Sequence, residues 1–193
     1  MSVTVFTNAT VVLPDRLLPG VHLEVADGRI AFIGMRKPPQ GATLVDLGGR
    51  FLAPGFVDLH VHGGDGADFM DGTAEAFRAV CRCHARHGTT SLTPTSTVAR
   101  LADYERFLEL CGELASGGRK PSVLELGSRI VGCHFYGPYF ARPARGCHPD
   151  QDFLTPNEAN SKSLMRLAGT LPFVVTVAPG GAGAGWLGRS YSG

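Results

Sequence analysis

The sequence carries almost no net charge. Eighteen Lys and Arg stand against 17 Asp and Glu, leaving +1 at neutral pH, and the basic residues are scattered. No electrostatic footprint for a nucleic acid or an anionic membrane is present, and neither partner is expected. Long apolar runs are missing as well, since none approaches the roughly 20 residues of a membrane helix. The opening Met1-Ser2-Val3-Thr4-Val5-Phe6 lacks the basic start and apolar middle of a signal peptide, so a cytoplasmic protein is expected. Paired cysteines are also lacking. Cys81, Cys83, Cys111, Cys133 and Cys147 are odd in number and share no repeated spacing, which argues against a disulfide framework and a four-cysteine zinc knuckle. They read as free thiols in a reducing compartment.

Apolar residues make up 44% of the 193, enough for a buried core, and the length fits one large domain or one domain with a small companion at about 150 residues per domain. Residues 3–33 read as short β segments, with Asp27-Gly28 as a hairpin signal between alternating runs. A further strand is expected at 43–47, giving a small antiparallel β unit over residues 1–50. It is too small to be comfortable alone.

The pattern changes at Phe51. Residues 52–61 form a nearly continuous apolar strand. Thr73 then opens a helix whose Phe77, Val80, Cys81 and His84 follow the i, i+3, i+4, i+7 stripe. Strands are expected at 89–93, 129–135 and 173–177, with further helices at about 100–114 and 157–167. This β-α-β-α-β-α-β order predicts a parallel sheet with right-handed crossovers, as an open doubly wound sheet or an eightfold barrel. No Gly-x-Gly-x-x-Gly follows the first strand, which weakens a nucleotide-binding reading. From about Pro179 the run Gly180-Gly181-Ala182-Gly183-Ala184-Gly185 reads as a flexible tail over residues 180–193.

The strand expected at 52–61 ends in Asp58-Leu59-His60-Val61-His62-Gly63-Gly64. Strand side chains repeat every two residues, so His60 and His62 project from one face, close enough to grip a single divalent cation. Asp58 shares that face. Two histidines at a solvated strand end are the plain alternative. Cys81 and Cys83 point apart on a helix and suit packing better than metal binding, and Cys133 reads as a small core residue. His87 can complement a helix C-terminus. Arg142 and Arg145 could meet a phosphate or simply be solvated.

Ala53-Pro54-Gly55-Phe56-Val57-Asp58-Leu59-His60-Val61-His62-Gly63 resembles the opening signature of the amidohydrolase superfamily, metal-dependent hydrolases on a (β/α)8 barrel with a small β-sandwich. His87-Gly88-Thr89-Thr90-Ser91-Leu92-Thr93-Pro94-Thr95 resembles the HGVTSFLPT segment of N-acetylglucosamine-6-phosphate deacetylases. Residues 132–149 resemble their GxHLEGPF…KGAHP segment without insertion, and residues 175–179 their VTLAPE. The resemblance implies a C–N hydrolase of amino-sugar catabolism, taking an amino-sugar phosphate and using a divalent metal, zinc above all. His60 and His62 fall where many members hold a metal, and Cys147 and His148 fall in the loop that closes around the sugar phosphate. Tyr136 stands where the family has the Glu that ligates its main metal, and Gly180 where the Glu of APE would be. A phenol with a pKa of about 10 is a poor substitute for a carboxylate. His134 shares the face of Tyr136 and could offer a nitrogen, or be a buried histidine hydrogen-bonded to backbone.

A (β/α)8 barrel needs about 250 residues. The expected architecture is therefore a β-sandwich portion at 1–50 and about four β/α units at 51–179, the first half of a barrel. By the resemblance, the catalytic Asp lies beyond residue 193, and a second copy or a complementing C-terminal half would be needed for activity. Two other readings stay open: a non-catalytic remnant or binding module, and another amidohydrolase such as a dihydroorotase or aminoacylase relative.

Overall fold

The computed structural model describes residues 2–116, 127–149, 154 and 157–178, so the glycine-rich segment expected as a tail lies outside the described residues. The chain forms two compact units, Met1–Pro54 and Gly55–Gly193.

The first unit is a five-stranded sheet of β1 (Val3–Val12), β2 (Leu17–Ala26), β3 (Arg29–Gly34), β4 (Thr43–Asp46) and β5 (Phe51–Leu52). Its order is β3-β2-β1-β4, with β5 also paired to β1. The β2–β3 turn carries Asp27 and Gly28 at φ 49° and 74°, the left-handed pair that matches strand twist in a two-residue hairpin. The two short strands expected at 3–6 and 10–13 are one. Asn8, at φ 54°, sits in a register shift between Phe6 and Ala9, so the chain bulges and continues in the same sheet. The sheet is also not purely antiparallel, because β4 and β5 both run parallel to β1. Residues 35–42 carry the chain past β2, and β4 re-enters along the other edge of β1 in the same direction.

Ala9, Val11, Val21 and Leu23 form the small core of this unit. Beside them Glu24 is buried, its side chain 2% exposed. Arg36 compensates it with two hydrogen bonds, Nε to Oε1 at 3.0 Å and Nη2 to Oε2 at 2.5 Å, and lies 4.0 Å over the Phe32 ring. A bidentate guanidinium is the partner a buried carboxylate requires, and it holds the Glu24 carboxyl below its ordinary range.

The second unit alternates strands and helices: β6 (Phe56–Val61), a hairpin of β7 (Gly63–Gly64) and β8 (Ala67–Asp68), α1 (Ala74–Arg86), β9 (Thr89–Pro94), α2 (Leu101–Ser116), β10 (Arg129–Ile130), β11 (Cys133–Tyr139), α3 (Glu158–Ala168) and β12 (Phe173–Val177). The apolar run expected as one strand over 52–61 is broken at Ala53-Pro54-Gly55, and its first residue falls in β5 of the other sheet. Proline removes a ladder donor at that break. The strand expected at 129–135 is also split. β10 pairs with β9 and β11 pairs with β12, every pair parallel. Gly132 lies at the changeover, where a Cβ would come 2.6 Å from the Pro172 carbonyl oxygen. A Thr95–His134 bridge links β9 to β11.

The helices form as their sequences require. Thr73 caps α1, its hydroxyl accepting from the Ala76 N–H at 3.2 Å, and Gly88 at φ 90° follows its end. Phe77, Val80 and Cys81 are buried on the expected stripe, with Tyr104, Leu108 and Cys111 of α2 in the same core. Tyr139 on β11 and Ser161 on α3 share a buried hydrogen bond of 2.9 Å. Apolar side chains on the two outer strands remain exposed: Phe56 at 69%, Val57 at 61% and Leu59 at 57% on β6, with Val174 and Val177 on β12.

Phe77, fully buried between Phe69 and Phe107, is expected to cost about 3–5 kcal/mol on Phe77→Ala, read from urea unfolding of the second unit. The lowered carboxyl of Glu24 contributes stability above its ordinary value of about 4.3 that is lost as the pH falls through the lower folded value. Glu24→Gln is expected to flatten that acid limb in a pH series of thermal melts, with reduced stability at pH 7.

Candidate functional site

Parallel pairing gathers the candidate residues at the C-terminal ends of β6, β9, β11 and β12. Val61 is clasped there by Thr95, whose hydroxyl accepts from the Val61 N–H at 2.9 Å and whose own N–H donates to the Val61 carbonyl at 2.9 Å. His60 and His62 flank that clasped residue. Their side chains leave the chain on one side, as period-2 geometry dictates, and their Nε2 atoms stand 3.0 Å apart. Asp58 turns back to accept from the His60 N–H at 3.0 Å. After His62 the chain makes a tight hairpin, because Asp65 and Gly66 at φ 55° and 76° supply a left-handed two-residue turn.

Tyr136 lies at the centre of the cluster. Its ring centroid is 4.7 Å from His60, 5.6 Å from His62, 5.6 Å from His134, 4.9 Å from Phe140 and 5.4 Å from His148. Ser96 fixes its backbone, accepting from the Tyr136 N–H at 3.0 Å and donating to the Tyr136 carbonyl at 3.3 Å. His134 is buried behind it, with Nε2 2.8 Å from the Thr176 hydroxyl. The partner at Nε2 is thus a side chain on β12. His148 is tethered through Nδ1 to the Thr97 hydroxyl at 3.0 Å, which folds residues 142–148 over the strand ends. A cavity of about 350 Å³ opens there, lined among others by Tyr136, Phe140, Arg145, Cys147, His148 and Thr176.

Electrostatics favour uncharged imidazoles. Burial, then the neighbouring His60, push His62 below the ordinary histidine value, and the same two causes lower His134. Neutral imidazoles keep a lone pair for a cation. Nitrogens about 2.0–2.1 Å from one zinc ion and 3.0 Å apart subtend about 95° at the ion, so the separation of the two nitrogens fits a shared cation. Among the described residues, no three His, Cys, Asp or Glu side chains converge on one cation position, and the carboxylate expected from the family is a phenol.

Cysteine readings divide by burial. Cys81, Cys111 and Cys133 are core residues. Burial pushes the Cys81 and Cys133 thiols up to about 12 and Cys111 well above its usual value. Cys147 is exposed at the cavity, and Arg142 is exposed in the same loop. Sequence reasoning overlooked the hydroxyl groups of Thr95, Ser96, Thr97 and Thr176 that hold this cluster together. A hydroxyl-rich Thr93–Thr97 stretch directly after an apolar strand is the signal that could have found three of them.

Four parallel strands carry an imidazole pair at their C-terminal ends, the end at which parallel α/β folds carry their sites. Residues 51–138 match the amidohydrolase family. The chain is similar to N-acetylglucosamine-6-phosphate deacetylases over a little under half of their length. The human protein of that name is 33% identical over 96% of this chain and 44% of its own length. N-acetylgalactosamine-6-phosphate deacetylase of Escherichia coli O157:H7 is 30% identical over 84% of this chain and 41% of its own. Among solved structures, a variant of the Mycobacterium smegmatis N-acetyl-D-glucosamine-6-phosphate deacetylase in complex with N-acetyl-D-glucosamine-6-phosphate superposes with a TM-score of 0.78. It is 29% identical and covers 95% of this chain and 45% of that one. The chain thus spans a little under half the length of these relatives. No helix among the described residues is long and apolar enough to cross a membrane.

A thiol-specific chromogenic reagent is expected to label Cys147 first in the native protein, Cys83 more slowly, and all five cysteines only after unfolding. Cys147→Ser should remove the fast phase.

Proposed function

We propose that this chain supplies the first half of a metal-dependent deacetylase acting on N-acetylated amino-sugar phosphates. The observation that carries the reading is the His60–His62 pair, 3.0 Å apart at the end of β6 beside the cavity under His148. The four strand units would be the first half of a (β/α)8 barrel and the five-stranded sheet part of a β-sandwich. The apolar side chains exposed on β6 and β12 support this, because a second half would pair with those two edges and cover them.

In this reading His60 and His62 would hold a divalent cation, zinc above all, with Tyr136 at the place of the family's Glu. When bound, such an ion polarises an amide carbonyl and lowers the pKa of water. The chain's own residues bind and orient. Phe140 and Tyr136 offer apolar ring surface to the sugar, His148 can donate or accept at a hydroxyl or phosphate oxygen, and Cys147 lies at the rim. Thr97 holds the His148 ring so that its Nε2 remains available to substrate, since Nδ1 is engaged. The proton transfer assigned by the family to an Asp belongs to the counterpart of the second half, on this or another polypeptide.

A second reading, a non-catalytic binding module, is favoured by one observation, the phenol at the carboxylate position. The two are separated by supplying the second half of the human relative in trans and measuring acetate release from N-acetylglucosamine 6-phosphate with zinc. The deacetylase reading predicts release by the mixture, at least about 100-fold reduced by His60→Ala with His62→Ala, and none by the 193 residues alone. Release by the 193 residues alone at rates ordinary for metalloenzymes would contradict it, and a folded, zinc-loaded mixture without release would favour the binding module.

A further inference from the structure

Three consecutive hydroxyls follow β9, and each engages a different element. Thr95 clasps Val61 of β6, Ser96 brackets Tyr136 of β11, and Thr97 reaches the loop beyond β11, its Oγ1 lying 3.0 Å from Nδ1 of His148. Thr97 is firmly seated. Gly137 of β11, at φ 109°, lies so close that an added Cβ would come 2.8 Å from the Val98 nitrogen and 3.2 Å from the Thr97 carbonyl carbon, and a β-branched side chain on a fixed backbone has few χ1 choices. The His148 ring is held from other sides as well. Tyr136 and Phe140 pack against it at 5.4 and 5.1 Å, and its backbone N–H donates to the Arg145 carbonyl at 3.3 Å. Nε2 is left open at the cavity that the ring lines.

A neutral imidazole carries one N–H, so the partner at Nδ1 decides what Nε2 offers. Thr97 as donor leaves the proton on Nε2, whereas Thr97 as acceptor leaves Nε2 a bare lone pair. Among the described residues the Thr97 hydroxyl has no hydrogen bond besides this one, so donation to Nδ1 is the arrangement that uses its proton. The cavity agrees. Arg145 lines it and, among the described residues, no Asp or Glu does, which suits a ligand that brings acceptor oxygens. We propose that Thr97 is the positioning residue for a ligand-binding imidazole: its O–H donates to His148 Nδ1, holds the ring in the Nε2–H form, and so presents an N–H donor to an acceptor oxygen of the bound molecule. That the molecule is an amino-sugar phosphate rests on the deacetylase reading, and two of its groups carry such an oxygen, the phosphate and the acetamide carbonyl. No proton is gained or lost in this arrangement. A ring free to turn or to exchange tautomers would offer the donor only part of the time, so Thr97 acts on affinity through pre-organisation.

The test is nitrogen-resolved NMR of the histidine rings in the 193-residue chain, at mildly alkaline pH where imidazoles are ordinarily neutral. Titrations follow with N-acetylglucosamine 6-phosphate, with glucose 6-phosphate, which lacks the acetamide, and with N-acetylglucosamine, which lacks the phosphate. Seven histidines are present, and His148→Gln assigns the ring at issue. The expected result is a single Nε2–H form of His148 whose N–H resonance moves on binding. A larger shift with glucose 6-phosphate places the donor on the phosphate, and a larger one with N-acetylglucosamine places it on the carbonyl. Thr97→Val, shown to be folded by circular dichroism, should give mixed tautomers and bind the sugar phosphate about threefold to tenfold more weakly, and Thr97→Ser should restore both. An Nδ1–H form in the natural chain, or tautomer and affinity unchanged in Thr97→Val, would overturn the proposal. So would a loss in Thr97→Val that Thr97→Ser fails to restore, since packing alone then accounts for Thr97. The expected tautomer and its Thr97 dependence without binding of any of the three sugars, even with the second half of the human relative supplied, would overturn the ligand role and the deacetylase reading and leave the Thr97–His148 clasp standing.

Discussion

Two hydrogen bonds between Val61 and Thr95, each 2.9 Å, set the geometry on which the functional part of this chain depends. They lock the end of β6 to the end of β9 at the residue between His60 and His62. A strand's side chains alternate, so fixing Val61 toward its neighbour forces the two imidazoles to the other side together. A slip of one residue would turn both away. The parallel sheet extends the same logic across β11 and β12, where Ser96, Thr97 and Thr176 hold Tyr136, His148 and His134 around the pair. Each hydroxyl contributes a modest free energy. Together they pre-organise the groups proposed to meet a ligand.

The two units solve different stability problems. The first has a core of four buried apolar residues and adds a buried Glu24 paired with a half-exposed Arg36. Such a pair adds little net stability, yet Glu24 could not stay buried if Arg36 were lost. The second draws on a larger aromatic and aliphatic core shared by α1, α2, α3 and their strands, while leaving apolar side chains open on both outer strands. Edges of that kind are ordinarily paired or covered. Their exposure here agrees with a chain that spans a little under half the length of the deacetylases it resembles.

Local signals carried much of the second unit. Thr73, the Phe77 stripe and Gly88 mark α1 at both ends, and residues 173–177 read as the strand that is observed, because each rests on neighbouring residues alone. What the sequence concealed depends on distant partners. The break at Ala53-Pro54-Gly55 hands Phe51 and Leu52 to β1, and Gly132 divides β10 from β11 because the chain there passes from one neighbour to another. Neither partner is visible in local periodicity. The parallel placement of β4 and β5 beside β1 was hidden for the same reason. In the site, the pairing of His60 with His62 followed from spacing, and Tyr136 from its motif. The hydroxyl clasps did not, since threonine and serine at strand ends usually meet water.

The central claim is that one cation sits between His60 and His62. X-ray absorption spectroscopy of the zinc-loaded chain tests it most directly. The account predicts two imidazole nitrogens at about 2.0–2.1 Å in a shell of nitrogen and oxygen donors. A first shell of oxygen alone, or one dominated by sulfur at about 2.3 Å, would contradict it.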